Sequence, residues 1–182
     1  FGVAVAISGE TVVIGSFGES SNATGVNGNQ ADDSAPDSGA AYVFVRSGVS
    51  WNQQAYLKAS NSGDDSIFGF TVAISGSTIV VGSRLEDNNA AGVNGNQSGG
   101  ALYDSGAAYV FVRNGTVWSQ QAYLKASNTG SDEKFGRAVA ITGDSAVVGA
   151  DGEGSNAIGV NGNQSSDLAP ESGATYLFTR TG

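Results

Sequence analysis

FGVAVAISGETVVIGS at residues 1–16 returns as FGFTVAISGSTIVVGS at 68–83 and as FGRAVAITGDSAVVGA at 135–150, an unvarying spacing of 67 residues. Self-similarity at a fixed period is the signature of a repeat architecture, so this stretch decides the fold before any single residue is weighed. In each copy two short apolar runs are separated by Gly9-Glu10, Gly76-Ser77 or Gly143-Asp144, a connection with room only for a hairpin turn. The repeat units run 1–67, 68–134 and 135–182.

Working outward, each copy crosses a polar stretch containing GVNGNQ and reaches SGAAYVFVR at 38–46 and 105–113, or SGATYLFTR at 172–180. Tyr42, Phe44 and Arg46 alternate with Ala41, Val43 and Val45, the period-2 pattern of a strand whose side chains face opposite ways. The first two copies add WNQQAYLKASN at 51–61 and WSQQAYLKASN at 118–128. Gln53 and Gln54 are unsuited to a buried strand, so this segment reads as an edge strand. The third copy lacks it, which leaves at least one sheet with an unpaired edge able to recruit another strand. The expected fold is all-β: four-stranded antiparallel blades of a β-propeller-like repeat array, about 2.7 repeats of 67 residues, two complete and one incomplete.

Composition sets the chemistry available. The chain has 182 residues, 40% of them hydrophobic, enough for a core; Gly supplies 28 and Pro 2, a mixture suited to short strands and tight turns. His, Cys and Met are absent, so imidazole bases, thiol nucleophiles, disulfides and His- or Cys-ligated metals are excluded. A net charge of −9 argues against binding nucleic acid or anionic lipid, and no apolar run approaches a membrane helix.

The long connections 17–38, 84–105 and 151–172 hold 11 of the 17 acidic residues. Asn-Gly at 27–28, 94–95 and 161–162 predicts a tight turn with positive φ near each tip, either on a protruding hairpin or in a binding loop. Glu19, Glu86 and Glu153 coincide between copies, as do Asp37, Asp104 and Glu171. Carboxylates are the hard oxygen donors calcium prefers, so these six are the candidate calcium ligands; the competing reading is a solvated acidic surface. Arg46, Arg113 and Arg180 recur, as do Lys58 and Lys125, which suggests roles inside each blade such as pairing with Asp65 and Asp132 or covering an aromatic face. Trp51 and Trp118 are expected to fill the gap between neighbouring sheets.

The words FGxxVAI, VVIG and SGAAYVF together resemble the FG-GAP repeats of integrin α-type β-propellers and of bacterial surface proteins, over the whole chain. The resemblance implies four-stranded blades, an extracellular or cell-surface setting, and adhesion or ligand binding in place of catalysis. Partners would be a protein or glycan surface ligand, or further copies of the same repeat in a homo-oligomer or longer chain. The alternative is a structural subunit of a filament assembled head-to-tail by strand or blade complementation. A glycoside hydrolase built on carboxylates is a third class, but no carboxylate pair stands out. The family's GAP word survives only as Gly15-Ser16, Gly82-Ser83 and Gly149-Ala150, and the two-residue hairpins cannot hold the family's calcium loop between the first two strands.

Overall fold

The computed structural model describes residues 1–181. Eleven strands form three antiparallel sheets. In the first, β1 (Val5–Ser8), β2 (Thr11–Ser16), β3 (Ala40–Ser47) and β4 (Ser50–Leu57) lie side by side in chain order. The second repeats this with β5 (Thr71–Ser75), β6 (Thr78–Ser83), β7 (Ala107–Asn114) and β8 (Val117–Leu124). The third has β9 (Phe135–Thr142), β10 (Ser145–Ala150) and β11 (Ala174–Thr179), and no fourth strand among the described residues. Among those residues there is no helix. The all-β blade reading holds.

Sheets stack because strand parity gives the middle one two apolar faces. Ile79, Val81, Tyr109 and Phe111 pack with Val13, Val43, Ala55 and Leu57 of the first sheet. Their neighbours Val80, Ala108, Val110 and Leu124 pack with Phe135, Ala146, Val148 and Tyr176 of the third. One sheet cannot bury both faces alone, and a neighbour on each side does so. At the two ends the same positions are open. Phe1, Val5 and Ile7 of β1 and its lead-in are exposed where Phe68 is buried. Leu177 on β11 is 69% exposed, whereas Val43 and Val110 at the same repeat position are 0% and 8%.

The Phe-Gly word has two jobs at each junction. Phe68 is fully buried, edge-on to Tyr109 at 5.3 Å and to Phe111 at 6.1 Å, and burial of such a ring contributes about 1.5–3 kcal/mol. Gly69 follows at φ +85, where an L side chain is strained, and a Cβ there would overlap the Ala40 carbonyl. Its own carbonyl is pressed against Gly15 of β2, which has no room for a Cβ either. Gly136 and Gly82 repeat this contact between the second and third sheets. The backbone of one blade thus lies against the next, pinned by Phe68 N–H donating to Ser38 O at 3.0 Å and Phe135 N–H to Ser105 O at 3.1 Å.

The paired glutamines also find a reason. Val43 faces Ala55 and Phe44 faces Gln53, so Gln54 is the extra residue of a β-bulge, as Gln121 is in β8. Gln54 Oε1 accepts a hydrogen bond from Trp118 Nε1 of the next sheet at 2.8 Å. Trp118 is buried between sheets as expected, while Trp51 of the first sheet is half exposed.

The Gly contact makes one repeat position context-dependent. Gly15→Ala and Gly82→Ala should each cost about 1–3 kcal/mol or more by overpacking. Gly149→Ala, where a Cβ meets nothing nearer than Ala138 Cβ at 3.6 Å, should cost far less. Urea unfolding of the three variants checks this; equal losses at all three positions would show that the junction does not depend on backbone approach.

Candidate functional site

The long connections do not protrude as free hairpins. The first two fold back along the outer edge of their own sheets and cover the strand that the sequence leaves as an edge. Val26 bridges Leu57 and Val93 bridges Leu124. Asn94 N–H donates to Tyr123 O at 2.8 Å, Asn94 Oδ1 accepts from Tyr123 N–H at 2.9 Å, and Lys125 N–H donates to Gly92 O at 2.8 Å. Asn27 and Gly25 do the same for Tyr56 and Lys58. The Asn-Gly turns supply the geometry: Asn27, Asn94 and Asn161 sit at φ 58, 54 and 55, as the sequence predicts.

Under the first two arches a lysine meets a glutamate. In the second blade Lys125 Nζ donates to Glu86 Oε2 at 2.8 Å and to Ser105 Oγ at 2.6 Å. Glu86 Oε1 accepts from the Tyr123 hydroxyl at 2.9 Å and from Asn61 Nδ2, which comes from the preceding repeat, at 2.6 Å. Asn61 Oδ1 in turn accepts from the Tyr109 hydroxyl at 2.6 Å. A buried carboxylate and ammonium tolerate the loss of water only when further hydrogen bonds satisfy them, and here every oxygen and the amine are engaged. In the first blade Lys58 Nζ donates to Glu19 Oε2 at 2.9 Å and Ser38 Oγ at 2.8 Å. The Tyr56 hydroxyl has no partner among the described residues.

The third blade holds half of this arrangement. Glu153 is 1% exposed, with Oε1 accepting from Asn128 Nδ2 at 2.8 Å and Oε2 from Ser155 Oγ at 3.1 Å. Tyr176 donates to Asn128 Oδ1 at 2.6 Å, matching Tyr109 and Asn61. Among the described residues no lysine reaches Glu153, because the strand that would bring it is not there.

Burial sets the electrostatics. It pushes Lys58 and Lys125 below the ordinary lysine range, with the facing glutamates pulling the other way. It also raises the hydroxyls of Tyr109, Tyr123 and Tyr176, helped by the nearby Glu86 or Glu153 charge, so all three remain protonated donors.

The six candidate calcium ligands fall into two groups. Glu19, Glu86 and Glu153 lie inside the blades, and the solvated acidic surface is not where they sit. Asp37, Asp104 and Glu171 occupy positive-φ turns at 49°, 48° and 59° that lead into the sheet junctions. Asp37 O accepts from Ile67 N–H, and Asp104 O from Lys134 N–H, each at 2.9 Å. Among the described residues no three acidic side chains converge as a metal cluster. At Asp104 burial first, then Asp87 and Asp132, raise the carboxyl above the usual range, with Lys134 and Arg84 pulling the other way.

The basic residues meet part of the expectation: the acidic partners differ, while Arg113 covers an aromatic face. Lys58 and Lys125 take glutamates, not Asp65 and Asp132. Arg46 chelates Glu10 and Arg180 chelates Asp144, both across the β-hairpin turn. In the second blade that turn residue is Ser77, and Arg113 instead stacks over Trp118 at 5.3 Å and donates to Thr11 Oγ1 of the first blade at 3.2 Å. Asn61 and Asn128 are the residues that sequence reasoning misses. Their signal was the full KASN word, kept in both copies that have the fourth strand.

Stacked four-stranded sheets with a repeated buried network define a β-propeller-type repeat protein. Within that class the chain belongs to the FG-GAP repeat family, whose model matches residues 51–111 and again 118–178, two units offset by the same 67 residues. The matched unit starts at the fourth strand of one sheet and ends in the third strand of the next, so it spans a sheet junction. Comparison with curated proteins finds no significant match.

Lys125→Met should destabilise the fold by about 3–5 kcal/mol, because it leaves Glu86 charged and buried without its cation. Adding Glu86→Gln should recover much of that loss. Chemical denaturation of the single and double variants checks the coupling, and additive effects would show that the pair is not a unit.

Proposed function

We propose that this chain is a non-enzymatic, extracellular or cell-surface binding module, a segment of blade array whose exposed rim engages a protein or glycan ligand. The observation that carries the reading is where the ionisable groups go. The repeat-fixed glutamates and lysines are consumed in holding each loop to its sheet, which leaves the loop surfaces, not a reactive cleft, as the variable part. These surfaces differ between copies: Asp32 and Asp33 in the first, Ser98 to Leu102 in the second, and Ser165 to Leu168 in the third. Membership of a family of propeller-type binding modules supports the same view.

A head-to-tail filament is the second reading, favoured by the complementary ends. Phe1, Val5 and Ile7 at one end and Leu177 at the other are exposed members of a face that is buried at both internal junctions. Calcium has a narrower place in this proposal than the six carboxylates together: Asp37, Asp104 and Glu171, which stand outside the buried lysine–glutamate networks, are the positions left for it.

Immobilised chain should bind one defined component of a glycan array or of an extracellular-matrix protein panel saturably, and loop substitutions should abolish this without changing the melting temperature. Concentration-dependent growth in light scattering with no such binding would favour the filament. Millimolar calcium, against chelator, should raise the melting temperature of the native protein and not of Asp104→Asn.

A further inference from the structure

Three of the eight basic residues, Arg84, Lys134 and Arg137, have no basic counterpart in the other copies. Two of these face one ring: the Arg84 guanidinium lies 4.6 Å from the Phe70 ring centre and that of Arg137 lies 5.0 Å from it. Phe17 of the first repeat adds a second ring 6.3 Å from Phe70. Phe17 and Arg84 hold the same position in consecutive repeats, and both pack on Phe70, which lies between them in the chain. We propose that Arg84 and Phe17 form a binding site for an acidic sugar of the hexuronate kind, the guanidinium taking its carboxylate and the ring its apolar face.

Arg84 is the arginine whose charge is unspent. Arg46 and Arg180 hold Glu10 and Asp144, Arg113 donates to Thr11, and Arg137 Nε donates to Asp151 Oδ2 at 3.1 Å. Among the described residues Arg84 forms no ion pair, and its buried Nε has no hydrogen-bond partner. Stacking on Phe70 uses the flat face of the guanidinium and offers its N–H groups no acceptor. A planar fork of donors in that state is complementary to a carboxylate, which can take two parallel N–H bonds.

The surroundings choose what carries the carboxylate. Phe17 is 40% exposed and Phe70 half-buried, so an apolar surface stands beside the fork. A pyranose has a C–H face that packs on an aromatic ring, and a uronate bears its carboxylate on the same pyranose. An acidic peptide fits less well. Asp104 is near enough to feel Arg84 and Lys134, and Asp87 and Asp132 are near Asp104. Together with the net charge of −9 they repel a run of carboxylates, while one carboxylate on a neutral body meets the guanidinium at short range. This site deepens the binding-module reading, on which it rests, by naming one ligand chemistry and placing it at the root of the second long connection, not at its tip.

The test is calorimetry on the full native chain with methyl glucuronide and its neutral partner, methyl glucoside. The glucuronide should bind saturably at one per chain and at least about tenfold more tightly than the glucoside, with the difference shrinking as salt rises. Arg84→Gln should bring the glucuronide down to the level of the glucoside, and Phe17→Ala should weaken both sugars, since the C–H face is common to them. The two sugars and the salt series on the native chain decide the matter even where a variant folds poorly. Equal binding of the two sugars, native affinity in Arg84→Gln, or tighter binding of acetyl-Gly-Glu-Gly-amide than of the glucuronide would overturn the proposal. Saturable binding of a neutral glycan alone would overturn it and leave the binding-module reading standing, whereas a native chain that binds no glycan and no matrix protein would overturn both.

Discussion

Everything in this molecule depends on how closely one sheet can approach the next. Gly15 against Gly69 and Gly82 against Gly136 bring backbone to backbone, with no side chain between them. That approach lets Phe68 and Phe135 reach into the apolar layers and lets the first strand of each blade hydrogen-bond to its predecessor. Side chains of ordinary size at these glycines would hold the sheets apart and leave the aromatic rings partly wet. The small residue at the junction and the large one beside it therefore act as one device, which is why they are neighbours in sequence.

The buried lysine and glutamate solve a different problem. A loop of some twenty polar residues has a large conformational entropy to lose when it is ordered. Backbone pairing at the arch offsets part of this, and the ion pair at its base ties loop, outer strand and, through Asn61 or Asn128, the preceding repeat into one network. Because the asparagine arrives from the neighbouring repeat, each blade's loop is fixed partly by the blade before it. Order at one junction is transmitted to the next loop, the nearest-neighbour coupling expected of a repeat array.

The ends differ from the middle for the same reasons. Among the described residues the Tyr56 hydroxyl has no partner and no lysine reaches Glu153. Both gaps lie at sites where adjacent repeats meet. They show that the physical unit is not the sheet by itself but the sheet plus the edges of its neighbours, in keeping with a family match that straddles the sheet junction.

Much of this was legible in the sequence. The 67-residue period, the hairpins, the two faces of β3 and β7 and the positive-φ turn at Asn-Gly all follow from local chemistry: side-chain alternation, glycine turns and direct repetition. The sequence also showed that Glu19, Glu86, Lys58 and Lys125 recur, but not that they pair, because Glu86 and Lys125 are 39 residues apart and only the folded-back loop brings them together. An isolated list of carboxylates reads as an oxygen-rich metal site; the lysine that neutralises them is invisible to spacing. Gln54 looked wrong for a strand because a bulge and a tryptophan from the next blade are not encoded locally. What the sequence by itself determined was the unit and its repetition, since these rest on contacts between near neighbours in the chain. Only the tertiary structure decided which charges meet and which edges are covered, since each depends on long-range closure that places one repeat against another.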